Sequence, residues 1–244
     1  MKRLVLGPGS MAVYAIFGLL KRLENDCELE DLEEISAASA GSLAAFSYLC
    51  TVTVEKALAM DLASIIKPKI RNLVKKGAFI DTSELVRELK GVSTETFMDM
   101  YKRTGIKLHI SVTSIDRRCS VYLSVDSAPD MLVADAVLAS MSIPLLFPPH
   151  LGYLDGALTE ELPVGPFIGL EAVAVRIDDG DPPPMDGKPL STLRAILYML
   201  FSMRSTYGGK VIDLRIPRTI SIYNFNMSKD DMLRMFLAGW AAPG

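Results

Sequence analysis

The stretch Ile35-Ser-Ala-Ala-Ser-Ala-Gly-Ser-Leu-Ala-Ala-Phe46 constrains the fold more than any other part of the chain. An apolar run ends in very small residues around Ser39, and an apolar pattern of helical period begins at once. A tight turn from strand into helix asks for this composition. The two backbones nearly touch there, and a strained φ/ψ at the serine leaves no room for larger neighbours. The spacing predicts a nucleophile elbow, usually spelled G-x-S-x-G, with Ala37 in the first place and Gly41 in the last. The same run also fits a helix that merely packs closely on a sheet. Chemistry at Ser39 therefore depends on what else the chain brings to it.

The surrounding pattern reads as α/β. Arg3–Leu6 is a short buried strand, Gly7-Pro-Gly-Ser10 a tight loop, and residues 11–23 have helical periodicity. A polar connector leads to the strand Glu34–Ala38, the elbow, and a helix to about residue 50. That rhythm predicts a parallel sheet with crossover helices. Residues 54–72 and 81–104 read as helices, the second capped by Asp81 or Thr82. Lys107–Ser114 and residues 120–125 alternate like strands around a polar turn at Asp116-Arg-Arg118. Residues 128–141 read as a helix stopped by Pro144. Beyond them come a strand at 171–177, a Pro- and Gly-rich loop at 178–189, a helix at 192–204, a strand at 219–223 and a helix at 228–241. No repeat or linker divides the 244 residues, so a single domain over 1–244 is expected, long enough to bury a substantial core.

A net charge of −3 implies no strongly basic face and argues against a nucleic-acid partner. Cys27, Cys50 and Cys119 are too few and too dispersed for a disulfide frame or a zinc site, which predicts a reducing, cytoplasmic setting and no metal. Met1-Lys-Arg3 imitates a secretory leader, but Gly7-Pro-Gly9 breaks the apolar run early, so the segment is read as mature structure. No apolar stretch reaches the ~18 residues of a membrane span, leaving at most peripheral contact with membranes.

A serine hydroxyl is a poor nucleophile until a neighbouring base takes its proton. His109 and His150 are the only histidines; one sits inside a strand pattern and the other beside two prolines. Both read as structural or surface residues. Asp155, in Tyr153-Leu-Asp-Gly-Ala157, is the better candidate: a carboxylate after an apolar strand lies where strand ends meet a crevice. Burial would have to raise its basicity, and a plain Asp-Gly turn is the bland alternative. In Gly7-Pro-Gly-Ser10, Pro8 has no N–H, so the backbone N–H groups of Gly9 and Ser10 are the candidate donors to an oxyanion. A dinucleotide fingerprint in the same loop fails because Ala12 occupies the third glycine's place.

Loop, elbow and Asp-Gly in this order resemble the patatin-like phospholipases. Leu4-Val-Leu-Gly-Pro-Gly-Ser10 with Gly18-Leu-Leu-Lys-Arg-Leu23 is similar to the family's oxyanion loop and first helix. Ala37-Ala-Ser-Ala-Gly41 matches the nucleophile motif, and Asp155-Gly-Ala157 the Asp-Gly-Gly/Ala motif. Lys76-Gly-Ala-Phe-Ile-Asp81, Ala134-Asp-Ala-Val-Leu-Ala-Ser-Met-Ser-Ile-Pro144, Phe147-Pro-Pro149, Leu162-Pro-Val164 and Ala238-Gly-Trp-Ala241 fall where the family has similar segments. The resemblance implies a three-layer α/β/α sandwich with a mainly parallel central sheet. It also implies a Ser39–Asp155 dyad without histidine, Gly9 and Ser10 at the oxyanion hole, and Gly7, Ala37, Gly41 and Gly156 as structural motif positions. No cofactor is implied, and the substrate would be a phospholipid or another acyl lipid.

The chain departs from the family pattern in two places. The usual Gly-Gly-Gly-x-Arg/Lys-Gly loop is Pro8-Gly-Ser-Met-Ala-Val13, which loses the basic residue and two glycines, and the usual Asn pair after the acid is Glu160-Glu161. Three readings follow: a lipid acyl hydrolase working through an acyl-enzyme, an acyltransferase on the same dyad, and a lipid- or partner-binding domain with impaired catalysis. The basic cluster Lys67, Lys69, Arg71, Lys75 and Lys76 reads as a solvated face rather than a headgroup site, and residues 196–201 as core rather than an acyl pocket.

Overall fold

A computed structural model of the chain describes residues 1–60, 62–66, 68–178 and 207–243, and of these not the side chains of residues 63, 70, 75 and 76. Most of the loop at 178–189, the helix expected at 192–204 with its apolar run at 196–201, and Lys67 lie outside the described residues.

The frame is a mixed, mostly parallel sheet flanked by helices, an α/β fold. Strands β1 (Arg3–Leu6), β2 (Glu34–Ala38), β3 (Lys107–Ser114), β4 (Cys119–Leu123), β6 (Val173–Asp178) and β7 (Lys210–Arg215) run in the order β4-β3-β2-β1-β6-β7. Only β4 and the short β5 (Tyr153–Asp155) are antiparallel to their partner, β3. Residues alternate between the two faces of the sheet. Leu4 and Leu6 of β1 join the large core under helices α1 (Val13–Asn25), α2 (Ala40–Leu49) and α8 (Val133–Ser140). Val5 instead meets Ala174, Leu162 and Phe167 in a smaller cluster on the opposite face. Central strands buried on both sides tolerate no polar face, hence the continuous apolar run in β1.

Four sequence expectations are corrected. Residues 54–72 form three short helices, α3 (Val54–Ala59), α4 (Leu62–Ile65) and α5 (Ile70–Lys76). Met60 leaves helical space at ψ 93°, and Pro68 disfavours a helical residue before it. Residues 81–104 split into α6 (Ser83–Val92) and α7 (Phe97–Thr104), because a Thr96–Asp99 capping box starts a fresh helix. The helix expected from residue 128 begins only at Val133. Residues 219–223 are turns, and the strand is β7 instead. Ile220, Ile222 and Tyr223 are buried as their apolar pattern demands, but Ile222 O accepts the loop N–H of Met11 rather than a strand's. Helix α9 (Lys229–Trp240) closes on α1 at a close crossing through Gly18 and Gly239. Among the described residues no helix is long and apolar enough to cross a membrane, and no group of side chains could hold a metal ion.

Candidate active site

Ser39 sits between the carboxyl end of β2 and the first turn of α2, with φ 52° and ψ −123°. That region is rare for a residue with a Cβ and carries a cost of order 1–3 kcal/mol. Three constraints hold the serine there. Its N–H donates to Ser140 Oγ at 2.8 Å, and the Ser140 hydroxyl donates onward to Ser111 O at 2.7 Å. Helix α2 presses on β1 so closely that a Cβ on Gly41 would lie 2.3 Å from Leu6 O. Ala37, opposite Leu6 in the sheet register, is fully buried. The small residues around Ser39 are thus a packing requirement of the turn.

Asp155 arrives from 116 residues away. At the end of β5 it lies opposite Val112 on β3, with its N–H bonded to Ser142 O and its own carbonyl accepting from Thr113 Oγ1 at 2.8 Å. A Cβ on Gly156 would lie 2.2 Å from Ser111 O, so the next residue must be glycine for β5 to sit this close to β3. The outcome is a hydrogen bond from Ser39 Oγ to Asp155 Oδ2 at 2.7 Å, while Asp155 Oδ1 accepts the Ala157 N–H at 2.9 Å. Asp155 has no solvent exposure and Ser39 is 5 % exposed. Burial pushes the Asp155 carboxyl up from its ordinary 3.8 to about 7, against the two hydrogen bonds that favour its charged form.

The β1 loop faces the same place. Gly7 N–H is tied to Val175 O at 3.0 Å, and Ala12 N–H to Gly9 O at 2.8 Å. Among the described residues the N–H groups of Gly9 and Ser10 have no partner. Ser10 takes φ 49°, the left-handed conformation that a glycine would adopt freely there. Its Oγ is buried without a partner among the described residues. Ser10 and Ser39 line one narrow cleft of about 30 Å³, walled by Leu62, Ile66, Phe147 and Phe225. That is room for a water or two.

Neither histidine reaches Ser39. His109 Nε2 lies 3.0 Å from Glu34 Oε2 with its ring edge-on to Phe167, and His150 Nε2 lies 3.3 Å from Asp135 Oδ1. Glu160, one of the two departures after the acid, has a structural part. It accepts from Tyr122 Oη through Oε2 and from the N–H groups of Val164 and Gly165 through Oε1, fastening the segment after Asp155 to β4. The Tyr122 hydroxyl is held far above its ordinary value by burial and by this carboxylate. Ser140, Ser142 and Thr113 were not singled out in the sequence. Their positioning role is visible only once β3, β5 and α8 are assembled.

Comparison with known proteins identifies the family. The sequence profile of the family "Patatin-like phospholipase" matches residues 4–168, which holds both Ser39 and Asp155. The chain is 26% identical over 142 residues to a 1-acylglycerol-3-phosphate O-acyltransferase, Pnpla3, of Mus musculus, with 56% of this chain and 34% of that protein covered. It is 31% identical over 159 residues to a patatin-like phospholipase domain-containing protein of Candida albicans, covering 60% of this chain and 18% of the relative. The chain therefore spans about a third or less of the length of these relatives. Among solved structures, VipD from Legionella pneumophila superposes with a TM-score of 0.60 at 15% identity, covering 99% of this chain and 65% of that one. ExoU in its complex with SpcU from Pseudomonas aeruginosa gives 0.52 at 17% identity, covering 98% and 50%. These two likenesses speak for the fold, and the profile match speaks for descent: the chain belongs to the patatin-like phospholipase family.

Proposed function

We propose that this chain is a lipid acyl hydrolase, cleaving fatty-acyl esters of phospholipids or other acyl lipids through Ser39 and Asp155. The observation that carries the reading is the buried 2.7 Å hydrogen bond between the elbow serine and the carboxylate, with Ser39 lining a cleft that it shares with Ser10, whose N–H and Oγ have no partner among the described residues. Asp155 accepts the Ser39 proton as Oγ attacks the ester carbonyl, and the tetrahedral oxyanion receives the N–H groups of Gly9 and Ser10. Ser10 Oγ, buried and without a partner among the described residues, adds a third donor and offsets the glycines that the loop lacks. Asp155 then returns the proton to the departing alcohol. In the second half it takes a proton from water as the water oxygen attacks the acyl carbonyl, and passes that proton to Ser39 Oγ as the bond to the serine breaks and the fatty acid leaves.

A carboxylate raised to about 7 suits this work, since a general base is most effective near the operating pH. It must be ionised to act, so activity is present above about pH 7 and falls as the pH drops through that value. The mouse relative's name favours a second reading on the same acyl-enzyme, transfer to an alcohol such as 1-acylglycerol-3-phosphate in place of water.

The test incubates the pure protein with a serine-directed fluorophosphonate and with phospholipid vesicles, with and without 1-acylglycerol-3-phosphate. Labelling and fatty-acid release that vanish in Ser39→Ala and Asp155→Asn support hydrolysis, and acyl appearing on the added alcohol supports transfer. A folded wild-type chain that takes no label and releases no acyl group refutes both readings, leaving a lipid- or partner-binding domain.

A further inference from the structure

The rim around the Ser39 cleft departs from what folding alone would select. Leu145 and Leu151 both hold positive φ, 68° and 52°, yet are 53 % and 59 % exposed. A branched apolar residue in the left-handed region is a costly outlier, and neither leucine recovers that cost by burial. Their backbones are fixed by neighbours. Leu145 O accepts the Phe79 N–H at 2.8 Å, and Leu151 sits in the turn closed by the paired His150 and Tyr153.

Both leucines lie at the carboxyl end of the sheet. Ala38 pairs with Ser111, so Ser39 begins where β3 still has three residues to run. At about 3.3 Å per residue, Ile115 and the turn after it project roughly 10 Å beyond the level of Ser39. Ile115 is 43 % exposed, and its N–H meets Gly152 O beside Leu151. Arg117 and Arg118 follow at the tip, exposed, with Asp116 the one carboxylate among them.

On the other flank the cleft walls continue into a similar rim. Ile66 and Phe147 line the cleft, and the two segments they belong to carry Lys69, Arg71 and Val74 on one side and Leu145 on the other. Phe79 joins the two, with its carbonyl accepting the Lys69 N–H and its N–H donating to Leu145. Val74 is 84 % exposed. Lys69, Arg71, Arg117 and Arg118 are exposed, and none is in an ion pair among the described residues.

We propose that this rim is the surface on which the protein docks an anionic lipid bilayer, with Leu145, Leu151 and Ile115 entering the interface and Arg117, Arg118, Lys69 and Arg71 meeting lipid phosphates. Apolar side chains beside cations that have no ion pair among the described residues, in segments that adjoin the cleft walls and the end of β3, match the chemistry of a bilayer surface. Such docking presents an acyl ester to the cleft that Ser39 lines. The inference rests on the acyl-hydrolase reading only for the kind of surface involved.

The test is read on the Ser39→Ala chain, so that no turnover contributes, by sedimentation with phosphatidylcholine vesicles with and without phosphatidylserine. Wild-type failure to release fatty acid would count against the catalytic reading and not against docking. The parent binds the phosphatidylserine vesicles more tightly. Arg117→Gln with Arg118→Gln lowers that binding by about fivefold per charge and removes most of the preference. Leu145→Asn with Leu151→Asn lowers binding to both vesicles by about tenfold or more. Asparagine tolerates the left-handed backbone, so the melting temperature does not fall and misfolding is separated from lost docking. Leu237→Ser, an exposed leucine on α9, binds like the parent. Unaltered binding in the Leu145/Leu151 pair, or an equal loss in Leu237→Ser, overturns the proposal.

Discussion

Replacing Asp155 by Asn is expected to abolish turnover and at the same time stabilise the protein above neutral pH. The carboxyl titrates near 3.8 when exposed in the unfolded chain and near 7 in the native site, where it has no contact with solvent. Between those two values the native state holds one proton more than the unfolded state, so stability declines as the pH rises across the window. Each pH unit there is worth about 1.4 kcal/mol, and crossing the whole window removes about 4 kcal/mol. Asparagine has nothing to ionise. Its Oδ1 can still accept from Ala157 N–H and its Nδ2 can face Ser39 Oγ, so the site stays filled and polar. Near pH 5, a little over one unit into that window, the variant should already lead by about 1.6 kcal/mol, because the unfolded wild-type carboxyl is ionised there while the native one is not. Above pH 7 it should be ahead by up to about 4 kcal/mol, on the order of 10 °C in melting temperature for a chain of this size. Urea titrations of both proteins at pH 5 and pH 8 measure the difference of differences, in which any pH-independent effect of the substitution cancels. A gap of the same size at both pH values would show that Asp155 does not sit in its native site as a desolvated, raised carboxyl, and the case for it as a base near neutrality would fall with it.

Three further outcomes follow from the same geometry. The pH profile of kcat/KM on a soluble ester should rise with an apparent pKa near 7, and a profile flat down to pH 5 would remove Asp155 as the titrating base. Ser10→Ala and Ser10→Gly should each lower kcat by about 10²-fold with little change in KM if the hydroxyl holds the oxyanion, whereas full activity in Ser10→Gly would leave the backbone N–H as that residue's only contribution. Gly239→Ala should destabilise the fold by about 3 kcal/mol or more, seen as a lowered melting temperature, because the new Cβ would stand 1.8 Å from Ala15 O where α9 crosses α1.

What could be read from the amino-acid order and what could not divide along physical lines. Gly41 and Gly156 were legible because a close backbone approach excludes all but the smallest residues, and that exclusion is written locally, beside Ser39 and Asp155. Helix ends were less so: Met60, Pro68 and Thr96 interrupt apolar periodicities that run on regardless, since periodicity reports which side chains are buried and says little about where the backbone breaks. The strand misplaced at 219–223 shows the same limit. Ile220, Ile222 and Tyr223 are as buried as strand residues, but their backbone serves turns and the loop N–H of Met11. The strand at the end of the described sheet order, Lys-Val-Ile-Asp-Leu-Arg from Lys210, hides its two buried residues, Ile212 and Leu214, among exposed charged ones.

The site shows the deepest version of this. A strained serine needs a partner for its N–H, and Ser140 supplies it from about a hundred residues away with a hydroxyl that has no local signature. Ser10 is subtler, because at its position the sequence shows only a lost glycine. In the fold the serine adopts the glycine's conformation and adds a buried hydroxyl that has no partner among the described residues, in the cleft that Ser39 also lines. An unsatisfied buried donor costs roughly 1–3 kcal/mol. If, as we propose, an acceptor arrives there during the reaction, the departure from the family's loop substitutes one donor geometry for another.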